Sequence, residues 1–98
     1  MAVVVHFSPR GLTMERYQEM VRRTAGPEFR RPGHIGHLCF GDPDDLQIIS
    51  VWQNRETWDR YFSELIQPIA EELGIDFGNQ TVYEAHHLRL ASESLVPQ

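Results

Sequence analysis

The chain has 98 residues, 41% of them apolar, with a formal net charge of −5, and this suits one small domain with a single core. A nucleic-acid partner is excluded as an expectation, because displacing counterions from phosphates needs a basic face that so acidic a chain lacks. No run reaches the length of a membrane span, and the opening MAVVVHFSPR lacks a basic region and a long apolar stretch, so a soluble, cytoplasmic protein is expected.

Ala2 to Phe7 is a β-branched run closed by the turn formers Ser8-Pro9-Arg10-Gly11, and it predicts a first strand. Thr13 then offers a hydroxyl to cap a helix. Met14, Tyr17, Met20, Val21 and Thr24 recur at helical spacing behind it, ending near Gly26-Pro27. Prolines keep the connection at 27–33 irregular. His34 to Phe40 and Leu46 to Trp52 read as two strands. The turn Gly41-Asp42-Pro43-Asp44-Asp45 between them predicts an antiparallel hairpin.

The stretch LQIISVWQNRETWDRYFSELIQPIAEELG organises the rest, because a strand passing directly into a helix folds that helix back on its own sheet. Asn54 is a good N-cap, and positions 58, 61, 62, 65, 66, 69, 70 and 73 form a broad apolar stripe. Pro68 inside this pattern predicts a kink or split near Gln67, and Gly74 predicts a left-handed C-terminal residue. After a loop at 75–79, Gln80 to Leu90 reads as the last strand and Ala91 to Gln98 as a tail.

The predicted order β-α-β-β-α-β is the ferredoxin-like pattern, an α+β class domain with a four-stranded antiparallel sheet and both helices on one face. The core spans about residues 2–90. Alternation in VVVHF and QIISV is poor, so the far face of the sheet is also apolar, as expected if a second copy covers it.

Element order over roughly residues 2–89, the join IISVWQNRETWDRYF, the continuation LIQPIAEELGI and the strand TVYEAHHL resemble the dimeric α+β barrel superfamily, especially domains similar to antibiotic-biosynthesis monooxygenases. The resemblance implies a homodimer with a pocket between sheet and helices. It implies a small apolar or aromatic ligand, and a cofactor-independent monooxygenase is the activity it points to, with no cofactor. A non-catalytic dimeric ligand-binding or structural module is the alternative. The heme-degrading branch is disfavoured, since its characteristic Trp and His would fall near Tyr61 and Glu71.

The resemblance also selects candidate site residues. Asn54 and Trp58 keep the Asn-x-x-x-Trp spacing of cofactor-free oxygenases, one helical turn apart. There the amide would hold a substrate oxyanion and the indole would bound a ring. A cap and a core side chain are the plainer roles for the same two residues.

Tyr17, Trp52, Trp58, Tyr61 and Phe62 are the candidate pocket lining, or equally an ordinary aromatic core. Five histidines invite a metal, yet strand parity predicts that His34 and His37 point to opposite faces, as do His86 and His87. No metal site is therefore expected. His6 and His86 are candidate pocket bases, because a histidine titrates near neutrality. Arg22, Arg23, Arg30 and Arg31 read as a solvated face paired with acids of the second half. Cys39, between Leu38 and Phe40, reads as a buried thiol.

Overall fold

A computed structural model describes residues 1–24 and 32–89. Strands β1 (Val3–Phe7), β2 (His34–Asp42), β3 (Asp45–Trp52) and β4 (Thr81–Glu84) form one antiparallel sheet in the order β2-β3-β1-β4. Helix α1 (Met14–Thr24) crosses from β1 to β2. Helices α2 (Arg55–Tyr61) and α3 (Gln67–Leu73), joined by a π-helical turn at Phe62–Ile66, cross from β3 to β4. The β-α-β-β-α-β order is thus observed.

Local chemistry explains the element boundaries. The Thr13 hydroxyl accepts from the Arg16 amide at 3.2 Å, and Asn54 Oδ1 accepts from the Thr57 amide at 2.9 Å, so both helices start at side-chain caps. Gly74, at φ 73° and ψ 28°, ends α3 with its amide turned back on Ala70 and Glu71. Pro68 neither stops the helix nor leaves it regular. Its ring would crowd the carbonyl four residues back, and the turn before it widens, so that the Gln67 amide donates to the Phe62 carbonyl five residues earlier.

Three boundaries differ from expectation. The hairpin is longer, because β2 runs on to Asp42 opposite Asp45 and leaves only Pro43 and Asp44 in the turn. β4 is much shorter than 80–90. It pairs only with β1, whose ladder is exhausted where the Ala85 amide reaches the Ala2 carbonyl at 2.9 Å. Leu90 and the tail lie outside the described residues, as does the expected end of the first helix near Gly26.

The third difference is inside β2. His34 stands opposite Trp52, but Gly36 stands opposite Val51, so Ile35 is one extra residue on this strand. That bulge overturns the parity argument for His34 and His37. Both rings lie on the helix-covered face, 6.5 Å apart.

The core fills the space between sheet and helices. Val3, Val5, Phe7, Leu46, Ile48 and Trp52 point down from the sheet, Met20, Trp58, Ile66 and Ala70 come from the helices, and Leu12, Ile75 and Phe77 close the ends. Trp52 and Trp58, 1% and 2% exposed, pack at 5.9 Å. The opposite face carries no helix. Register places Val4, Leu38, Phe40, Ile49, Val51 and Tyr83 on it, with Leu38, Phe40 and Tyr83 exposed at 52%, 37% and 56%.

Candidate functional site

A chamber of about 110 Å³ lies between sheet and helices, walled by Phe7, Met20, Val21, Ile48, Ile66, Trp58 and Phe77. The polar groups among its walls come from Tyr17, Thr24, His37, Ser50 and Tyr61. Each has a structural reason to be there. Tyr17 and Thr24 lie two turns apart on the inward face of α1, where the Thr24 hydroxyl donates to the Met20 carbonyl at 2.9 Å. Ser50 accepts the Trp52 indole N–H at 2.7 Å, which satisfies a buried donor. His37 pairs with Ser50 across the β2–β3 ladder, and so shares its face.

Tyr17 and His37 form the polar centre of this chamber. The tyrosine oxygen and His37 Nε2 are 2.7 Å apart, with the rings nearly parallel. Burial is the main cause that pushes the Tyr17 hydroxyl well above its ordinary value, with the neighbouring Cys39 thiol second. His37 is lowered to about 4, first by burial and then by His34. By surface area, however, His37 is exposed, and this contact with solvent moderates the shift without reversing its direction.

Near neutral pH both groups are therefore uncharged. In the His37 tautomer that carries its hydrogen on Nδ1, the Tyr17 O–H donates to Nε2. His34 is also lowered by burial, and its Nε2 lies 2.9 Å from the Gly36 carbonyl. Burial raises the Cys39 thiol, with Tyr17 acting more weakly in the opposite direction.

The expected site residues are distributed as follows. Trp58, Tyr17 and Tyr61 line the chamber, and the Trp58 indole is fixed by donating to Gln80 Oε1 at 2.9 Å. Trp52 sits behind Tyr61 at 4.9 Å and faces an outer groove instead. Phe62 turns toward Phe77, 5.5 Å away, and is absent from the chamber wall. Asn54 is exposed, with its amide oxygen spent on the helix cap, so it does not join Trp58 at the chamber. His6 lies on the uncovered face, 3.0 Å from Gln47 Oε1 and beside Phe40. His86 lies exposed beyond the end of β4.

His37, Thr24, Ser50 and Phe77 are chamber residues that the sequence reading did not single out as site residues. A signal for His37 was available: Gly36 inside HIGHLCF is the kind of strand glycine that marks a bulge. Among the described residues, no group of three or more His, Cys, Asp or Glu side chains is placed to hold a metal ion. No helix among them is long and apolar enough to cross a membrane. Arg23 reaches Glu72 at 2.7 Å, and Arg22 pairs with Glu19 on its own helix. Arg30 and Arg31 lie outside the described residues.

This arrangement of sheet and helices recurs in solved structures. SnoaB, a cofactor-independent oxygenase from Streptomyces nogalater, superposes with a TM-score of 0.60 at 20% identity, over 89% of this chain and 93% of that one. A Chloroflexus aurantiacus protein assigned as an antibiotic biosynthesis monooxygenase gives 0.64 at 15%, over 91% and 97%. One from Deinococcus radiodurans gives 0.59 at 15%, over 95% and 100%. The chain shares the ferredoxin-like α+β fold of these proteins. At these identities the likeness concerns the fold, and the chemistry of this chain has to be argued from its own chamber. No protein-family model matches the chain, and neither does any curated protein sequence.

Proposed function

We propose that the chain works as a homodimer closed through its uncovered sheet face. Each copy holds a small hydroxylated aromatic molecule between sheet and helices and oxidises it with dioxygen, without a cofactor. The observation that carries this reading is the Tyr17–His37 pair, hydrogen-bonded at 2.7 Å in the wall of an otherwise largely apolar chamber. A few placed polar groups in an apolar concavity are what orient a small ligand. Likeness to the oxygenase SnoaB supports the reaction class, and the apolar uncovered face supports the dimer.

The chemistry follows from this pair. A substrate hydroxyl donates to the Tyr17 oxygen while Tyr17 donates to His37, so the departing proton has a path to Nε2. An isolated His37 is a weak base, but a phenolate formed beside it favours the imidazolium, because opposite charges stabilise one another in so apolar a setting. The phenolate passes one electron to dioxygen, and the resulting radicals join at the ring carbon para to the oxygen. The peroxide then loses water. Hydroxyarene and dioxygen together hold the atoms of a quinone and one water, so no external reductant enters. Trp58, held by Gln80, bounds the ring.

Oxygen uptake with an electron-rich hydroxyarene such as 1-naphthol tests this reading. The wild type is expected to consume one dioxygen per quinone formed. Tyr17→Phe and His37→Gln are each expected to lower kcat by about 10²–10⁴-fold, with the melting temperature nearly unchanged. A second reading, a non-catalytic binding module, is favoured by the filling of much of the interior by Trp52 and Trp58. Binding of 1-naphthol without oxygen uptake would establish that alternative.

A further inference from the structure

Two concavities meet at one side chain. Tyr61 lines the inner chamber of about 110 Å³, and it also lines an outer groove of about 350 Å³ bordered by Pro32, Trp52, Thr57, Arg60 and Glu64. The chamber alone is smaller than the cavity of roughly 150 Å³ that accepts benzene in an engineered core. Chamber and groove together offer roughly 460 Å³, well inside the range of about 300–1,000 Å³ usual for small-molecule sites. Among the described residues, only Tyr61 lines both.

Its place in the fold suits a wall that moves. Tyr61 is the last residue of α2, directly before the π-helical turn at Phe62–Ile66. Such turns are rare and are frequent at functional sites, because the widened ladder leaves local freedom that a regular helix lacks. The side chain is half-buried, with its ring against Trp52 at 4.9 Å and Trp58 at 6.3 Å.

We infer that Tyr61 is the residue that sets ligand length. In its present position it leaves the chamber too small for a fused-ring ligand, and when displaced it lets a hydroxyarene of two or three rings run from Tyr17–His37 into the groove beside Arg60. This inference rests on the reading that the chamber holds a hydroxyarene. It adds that bound length is decided by one side chain rather than by the chamber walls.

Binding of phenol, 1-naphthol and 1-anthrol, followed by quenching of tryptophan fluorescence, separates the two claims. Removing a closed partition removes the penalty for binding only through a minor open state. Tyr61→Ala should therefore strengthen 1-anthrol binding by at least about tenfold, and phenol, which needs far less of the groove, by clearly less. Tyr61→Leu keeps an apolar side chain against Trp52, should behave likewise, and serves if the alanine variant fails to fold. Unchanged 1-anthrol affinity in a folded variant that still binds phenol would overturn the partition and leave the proposed function standing. Failure of all three probes to bind wild type and variants alike would overturn both.

Discussion

His37 owes its position to its neighbour Ile35. Were Ile35 paired as a regular strand residue, strict alternation from His34 would send the imidazole of His37 to the uncovered face, away from Tyr17. Inside, it faces His34 on its own strand, Tyr17 on α1, Cys39 two residues along and Tyr61 on α2. Its lowered pKa fixes the sign of a stability effect. Unfolded, the ring takes up a proton near pH 6.5, whereas folded it resists until about pH 4. The contribution is thus fully present above about 6.5 and is lost as pH falls toward 4. Glu19, held at about 2 by Arg22 and Arg23, loses its own contribution only below its ordinary 4.5, so the windows separate. Melting temperatures between pH 7 and 4.5 should fall less steeply for His37→Gln than for the wild type. Parallel slopes would remove His37 from the neutral role assigned to it.

At the scale of elements, Asn54 shows how one residue type can suggest two roles. Its oxygen accepts the Thr57 amide, and the Thr57 hydroxyl donates back to the Asn54 carbonyl at 2.9 Å, which is a closed capping arrangement. Asn54→Ala should cost about 1 kcal/mol in urea unfolding and leave 1-naphthol affinity unchanged. Loss of affinity at full stability would return Asn54 to the ligand. The element order, the caps and Gly74 were legible in the sequence because each depends on local chemistry. The end of β4 was not legible in that way, since it is set by the length of β1, about 80 residues earlier in the chain. The face of His37 required knowing the register against β3. The effect of Pro68 was visible as a disturbance, but its form, a π turn with continuous helix on both sides, depends on what the apolar stripe of α2 and α3 packs against.

The whole molecule is lopsided. Helices cover one side of the sheet, while Leu38, Phe40 and Tyr83 lie open among Val4, Ile49 and Val51 on the other. An apolar surface of this kind is costly to leave in water, and a second copy offers the same surface in return. Leu38→Glu would place a charge on this face, next to Ile49 across the β2–β3 ladder, and should yield single chains without disturbing the chamber on the far side. Native mass spectrometry of the wild-type protein with 1-naphthol measures assembly and occupancy together. Two chains of 11.4 kDa, carrying one 1-naphthol each, is the predicted result. A single chain at tens of micromolar, or a pair that takes up no 1-naphthol, would contradict it.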